Sequence, residues 1–382
     1  DADQDGDLDL YLVSGGNQFE VGSELYNDRL LINDGYGNFE NDLKRIPNLN
    51  ANGCVVRPID YDSDGDIDLF IGGHNKPGAF PLADKSYLLN NNNGNFEDFT
   101  NTVLPDLDQF GLVTDAQWAD LNKDGREDLI LVGEYSPVAI FLNLNSGFQR
   151  LSSETLDEAM GLWRCIEVVD FDDDGDLDLL LGNLGKNNML SVSPETPLII
   201  STRDLDKNGS IDPLMFNSQQ NKNGEWDMFP VQFWDNLIQQ SPLFRKEFNS
   251  YHAFSKANMN YYQEKEYLIK DSLLSAKHDT SKWLENLGSN TFKLNTLPDP
   301  LQLGPINDFL VIETAEDQSV FVIGNDFGGP PFEGNFDAFQ GSIINWNFIG
   351  DKKVIDAQDS GFHVFGDARE ISSIVMQNGK TL

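Results

Sequence analysis

A nine-residue acidic motif stands at five places with one phasing, and no other feature constrains the fold of this chain as tightly. The copies are Asp1-Ala2-Asp3-Gln4-Asp5-Gly6-Asp7-Leu8-Asp9, Asp60-Tyr61-Asp62-Ser63-Asp64-Gly65-Asp66-Ile67-Asp68, Asp120-Leu121-Asn122-Lys123-Asp124-Gly125-Arg126-Glu127-Asp128, Asp170-Phe171-Asp172-Asp173-Asp174-Gly175-Asp176-Leu177-Asp178 and Asp204-Leu205-Asp206-Lys207-Asn208-Gly209-Ser210-Ile211-Asp212. Side-chain oxygens recur at positions 1, 3, 5 and 9. Ca²⁺ takes roughly 6–8 oxygens at about 2.3–2.6 Å, so a tight loop must aim alternate side chains at one point. The backbone carbonyl of position 7 (Asp7, Asp66, Arg126, Asp176, Ser210) is expected to add another oxygen. Glycine at position 6 permits the positive φ that such a turn needs. About five calcium ions are expected.

The EF-hand is the obvious rival, but it requires a bidentate Glu at position 12 and an exiting helix. Here position 12 is Leu12, Ile71, Leu131, Leu181 or Met215. The residues after the loops, such as Leu69-Phe70-Ile71, Leu129-Ile130-Leu131-Val132 and Leu179-Leu180-Leu181, read as buried strands.

The formal net charge is −37, and the five loops hold 23 of the 63 acidic residues. Five bound Ca²⁺ would return ten positive charges. The acidity that remains excludes nucleic acid and an anionic membrane surface as partners. No apolar run approaches the roughly 20 residues of a membrane span, so no membrane insertion is expected. The chain begins inside a loop without Met, which reads as N-terminally incomplete. Loops of this kind fill at the millimolar calcium found outside cells, which points to a secreted, periplasmic or cell-surface protein. Cys54 and Cys165 cannot form a disulfide framework and are expected to be free, buried thiols.

Loop starts fall at residues 1, 60, 120, 170 and 204, and the first intervals match one four-stranded blade of a repeat protein. Hairpin turns follow at Asn33 to Phe39, Asn91 to Phe96 and Asn145 to Phe148. The whole chain, residues 1–382, therefore reads as one domain. Residues 229–287 differ in character. Phe233/Leu237 and Phe244/Phe248/Tyr251 fall at helical spacing, which predicts a helical insertion of two to four helices within the fifth repeat unit, with Thr291-Phe292-Lys293-Leu294 resuming that unit's strands. A sixth unit at Ile306 to Asn325 carries Glu313 to Gln318 in place of a metal loop, so no calcium is expected there. A seventh is expected to begin near Gly361.

The loops with their trailing Leu-Phe-Ile-Gly-Gly and Leu-Leu-Leu-Gly-Asn strands resemble FG-GAP/VCBS repeats, the blade unit of integrin α-subunit propellers and of bacterial exported proteins. Leu184-Gly185-Lys186-Asn187, Leu297-Pro298 with Gln302, and Gly324-Asn325 are similar to recurring phrases of the bacterial group. Gly334-Asn335-Phe336-Asp337 departs from the family's Gly-Arg-Tyr-Asp. The resemblance implies an all-β propeller of about seven blades, eight possible in the intact protein, with a small α-helical insertion. It also implies calcium loops on one face and ligand loops on the other.

Those ligand loops hold His74, Lys76, Glu134, Lys186, Asn187, Asn325 and Asp326, with Trp163 as a candidate sugar platform. A ring of polar loops suits a glycan or a protein partner, and the lysines suit its carboxylates or sulfates. Two alternatives carry different predictions. A calcium-dependent polysaccharide lyase would need a base such as His74 with Lys76 and Tyr135 beside it. A spacer or adhesin segment of a larger surface assembly would need no cleft. No nucleophile motif is present, and a binding module is favoured over an enzyme.

Overall fold

The computed structural model describes residues 1–144, 146–313, 317–329, 334–347 and 352–374. The described residues form six antiparallel sheets. Sheet 1 pairs Leu10–Leu12, Arg29–Asn33 and Phe39–Asn41, and sheet 2 pairs Gly53–Ile59, Asp68–Gly73, Tyr87–Asn92 and Asn95–Asp98, each in chain order. Sheet 3 pairs Leu112–Ala119, Asp128–Ser136, Ala139–Leu144 and Gly147–Leu151, with the short Gly161–Leu162 against the far end of its second strand. Sheet 4 pairs Cys165–Val169, Asp178–Gly182, Lys282–Asn286 and Phe292–Thr296, and sheet 5 pairs Ile306–Glu313, Asp317–Gly324, Ser342–Asn347 and Lys352–Asp356. The protein is all-β, and in sheets 2 to 5 the first strands lie side by side.

The uninterrupted apolar runs follow from this stacking. Asp178–Gly182 is buried at every position, with Leu179 and Leu181 in the core shared with sheet 3 and Leu180 in the core shared with sheet 5. A strand covered on both faces has no polar side to alternate. Each such leucine contributes about 1.5–3 kcal/mol by burial.

The fifth acidic motif is not where the spacing places it. It lies in a sixth sheet, ordered Trp226–Pro230, Met215–Gln220, Leu198–Ser201 and Leu273–Ala276, inserted between the second and third strands of sheet 4. Leu179 to Leu181 pair with Lys282 to Leu284, so Phe292–Thr296 completes the fourth unit and not the fifth. The expected helical segment 229–287 does hold four helices, Trp234–Gln240, Leu243–Glu247, Tyr251–Phe254 and Met259–Glu264, but its last residues belong to sheet 4. The helices bury Leu237, Phe244, Phe248 and Tyr262 against Phe216 of the inserted sheet and Leu214 just before its strand. That sheet in turn packs Leu198, Ile200 and Ala276 against Leu112 and Tyr135 of sheet 3.

Residues 361–374 contain no strand, against the expected seventh unit, and 375–382 lie outside the described residues. Their backbone nevertheless occupies the place of a next first strand. The Ile371 N–H donates to Asp308 at 2.8 Å, as the Ile166 N–H donates to Asp115 at 3.0 Å. In the sixth unit three residues separate Glu313 from Asp317, where eight separate Ile59 from Asp68. Glu316 lies outside the described residues. Among the described residues no helix is long and apolar enough to cross a membrane.

Candidate metal loops and the cleft at the far end of the sheets

The five motifs share one conformation. Position 4 has positive φ in all of them (Gln4, Ser63, Lys123, Asp173, Lys207), and the position-6 glycines lie between +83° and +98°. The first aspartate accepts the position-6 N–H in each, at 2.8 Å from Gly125 and Gly209, 2.9 Å from Gly175, 3.1 Å from Gly65 and 3.2 Å from Gly6. Position 5 accepts the N–H of position 7, as in Asp176 to Asp174 at 2.8 Å and Ser210 to Asn208 at 2.7 Å. These bonds turn the side chains inward.

Carboxylate oxygens of Asp1, Asp3 and Asp5, of Asp60, Asp62 and Asp68, of Asp170, Asp172 and Asp178, and of Asp204, Asp206 and Asp212 all lie within 4.8 Å of one another in each loop. Burial pushes Asp68 and Asp178 up to about 7 and Asp128 up to about 6, against the N–H groups that bond them, and neighbouring aspartates push further. Among the described residues, Asp3 Oδ1, Asp206 Oδ1 and Asp128 Oδ2 are buried without a hydrogen-bond partner. Buried, crowded carboxylates with orphaned oxygens are what a divalent cation satisfies, so the donor set fits calcium. When bound, the ion would cancel this repulsion and tie the two strands it sits between.

The third loop differs. Arg126 Nη2 donates to Asp124 Oδ2 at 2.5 Å and Arg126 Nε to the Asn143 carbonyl at 2.7 Å, so the guanidinium occupies a carboxylate that an ion would need. Arg126→Asp, which matches position 7 of the first, second and fourth loops, is expected to tighten calcium binding at this loop about tenfold or more. Calorimetric titration against the native chain checks it, and an unchanged third site would show that Asp124 is free to ligate already.

Metal loops join first strands to second strands, so the opposite ends of the same strands lie about 20 Å away at roughly 3.3 Å per residue. There a cleft of about 290 Å³ is lined by Cys54, His74, Thr114, Glu134, Arg164, Asn307 and Arg369. Bulges in the first strands of sheets 2, 3 and 5, at Gly53/Val55, Val113/Asp115 and Ile306/Asp308, re-aim Cys54, Thr114 and Asn307 into it. His74 Nε2 stands 3.7 Å from Glu134 Oε2. Arg164 donates to Asn307 Oδ1 at 2.7 Å and to Asp326 Oδ2 at 3.0 Å, while Arg369 reaches Asp367 at 2.6 Å and Asp326 at 3.4 Å. Burial raises the Asp326 carboxyl, but the Gly328 N–H and the two guanidiniums outweigh it and hold the carboxyl below its usual range.

The expected ligand residues therefore separate into two groups. His74 and Glu134 line the cleft and Asp326 pairs with its two arginines. Lys186 pairs instead with Asp299 at 3.3 Å, and the Asn187 side chain donates to the Leu303 carbonyl at 3.2 Å; neither lines the cleft. Lys76 is exposed and lines no part of it. Asn325 is buried, its amide spent on the carbonyls of Phe339 and Gly366. Trp163 is no sugar platform: it is 0% exposed and donates its indole N–H to the Ala159 carbonyl at 2.9 Å. Both thiols are free, but only Cys165 is buried; Cys54 opens into the cleft, where the packed surroundings push its thiol up to about 12. Arg369, Asn307 and Cys54 were not among the expected ligand residues, because bulges and a return across sheet 5 bring them in. Arg369 stands where Arg164 stands two units earlier, a signal visible only once Ile371 and Ile166 are aligned by their bonds.

Comparison with known families matches the FG-GAP-like repeat at residues 1–71, 60–131 and 120–181. No curated protein matches the chain. Among solved structures, that of the biofilm matrix protein Bap1 of V. cholerae aligns at 10% identity over 86% of this chain and 57% of its own length, with a TM-score of 0.25. This chain spans little more than half the length of that protein.

Proposed function

Residues 1–181 of this chain are three consecutive FG-GAP-like repeats, and from that premise we propose an extracellular, calcium-stabilised module that binds an anionic glycan or an acidic protein segment at the cleft opposite its metal loops. The carrying observation is convergence: side chains from sheets 2, 3, 4 and 5 and from the 361–374 return meet in one cleft, with two arginines among them on a chain of net charge −37. Repeated blades place equivalent positions around one axis, which is how scattered residues become one surface. Arginine offers planar, paired N–H donors that match a carboxylate or sulfate. In this reading Arg164 and Arg369 carry the cationic role that Lys76 and Lys186 hold in the sequence expectation. Acidic metal loops that fill outside cells support a secreted or surface location, within a larger surface assembly.

The lyase alternative needs His74, Lys76 and Tyr135 together. Tyr135 is buried against the inserted sheet and Lys76 lines no part of the cleft, so binding is the reading favoured. Calcium-replete binding to a polyuronate probe tests it. The Arg164→Gln/Arg369→Gln double variant is expected to lose at least tenfold in affinity while keeping its calcium-dependent melt. Equal binding by native and variant chains moves the functional surface elsewhere.

A further inference from the structure

Four asparagines occupy one position in sheets 1 to 4, at or next to the end of the strand that enters each sheet's last hairpin: Asn33, Asn91, Asn143 and Asn286. Each backbone N–H donates to the position-9 aspartate of its own loop, at 2.9 Å to Asp9, 2.7 Å to Asp68, 2.9 Å to Asp128 and 2.7 Å to Asp178. Three of the side chains then cross to the preceding repeat. Asn91 Nδ2 donates to the Ala2 carbonyl at 2.9 Å, Asn143 Nδ2 to the Tyr61 carbonyl at 2.9 Å, and Asn286 Nδ2 to the Leu121 carbonyl at 3.2 Å. Ala2, Tyr61 and Leu121 are position 2 of their loops, between the ligands of positions 1 and 3. One buried asparagine therefore grips a ligand of its own loop with its backbone and the backbone between two ligands of the loop before it with its side chain. Side-chain contacts repeat the link, with Gln4 Nε2 donating to Asp66 and Lys123 pairing with Asp176 at 2.5 Å, each from position 4 of one loop to position 7 of the next.

We propose that the calcium loops of the first four repeats bind their ions cooperatively, coupled through Asn91, Asn143 and Asn286, while the fifth loop binds independently. The proposal rests on the reading that these loops hold calcium. An ion that draws positions 1 and 3 together orders the carbonyl between them. The clasping asparagine is then fixed, with its N–H presented to the next loop's position 9. The next ion binds a loop whose ordering entropy is already spent, which is positive coupling without a large movement. The fifth loop supplies the internal control: Asp212 accepts the Leu205 N–H at 2.8 Å, as its counterparts do, but among the described residues no asparagine bridges that loop to another repeat. Instead Asp206 accepts the Ser241 hydroxyl at 2.7 Å from the helical insertion.

Calorimetric calcium titration of the full chain distinguishes the possibilities. Asp206→Asn is expected to delete one site and leave the rest of the isotherm unaltered. Asp62→Asn is expected to delete the second loop's site and to weaken the first and third about fivefold or more, the lower range of measured site coupling. Asn143→Ser keeps the backbone N–H on Asp128 and removes the reach to Tyr61, so it should leave every site present but uncouple the third loop from the second, with the first and second and the third and fourth still filling as pairs. If Asp62→Asn removes one site and changes nothing else, as Asp206→Asn does, the coupling is refuted while the loops remain calcium sites. If the native chain binds no calcium, the coupling and the reading beneath it fall together. A poorly folded Asn143→Ser chain leaves the comparison of the two aspartate variants to decide.

Discussion

Stripping calcium with a chelator is expected to lower the melting temperature of this chain by roughly 10–15 °C. Each ion binds only the folded loop, so calcium held at 100 times its Kd adds about 2.7 kcal/mol per site, or about 11 kcal/mol if four loops fill. At about 2.1 cal/mol/K per residue, a chain of 382 residues unfolds with close to 0.8 kcal/mol/K of entropy, which converts that energy to about 14 °C. The physical source is the set of crowded carboxylates. Burial and mutual repulsion raise Asp68, Asp128 and Asp178, so without an ion the folded state bears an electrostatic strain that the unfolded chain relieves. Scanning calorimetry with and without EDTA measures it, and coincident melts would refute calcium as a structural ion here.

Trp163→Ala is expected to destabilise the chain by about 3–5 kcal/mol, the range for a large aromatic removed from a packed core. The indole is fully buried among Ile130, Val132, Ile166, Leu179 and Leu181, between sheets 3 and 4. A Cβ at Gly161 would stand 2.3 Å from its ring, so even the neighbouring backbone is shaped around it. Trp163→Ala also leaves the Ala159 carbonyl without its donor. Trp163→Phe keeps most of the apolar volume and should cost less. Denaturant unfolding followed in the presence of calcium separates this role from a surface one: a side chain that only stacked on a ligand would leave the unfolding midpoint where it was.

Sequence alone determined whatever depends on local geometry and on burial. Five acidic loops were legible because calcium ligation within a short loop uses residues at fixed offsets, and those offsets survive any rearrangement of the rest of the chain. Second strands such as Leu179-Leu180-Leu181 were legible because a strand covered on both faces has no polar side. The helical character of residues 234–264 showed in aromatic spacing. What sequence order could not decide was partnership. Strand pairing is not recorded in chain position, so the fourth unit looked complete before residue 204 and the fifth motif looked like another blade, whereas Leu179 to Leu181 pair across about a hundred residues with Lys282 to Leu284. The same holds for the cleft. Its residues lie on bulges and at strand ends up to 315 positions apart, from Cys54 to Arg369, and no local pattern ties them together. The clasping asparagines show both halves at once: Asn91 opens a recognisable hairpin turn and Asn143 stands two residues before another, but only packing one repeat on the next puts Ala2 and Tyr61 within their reach.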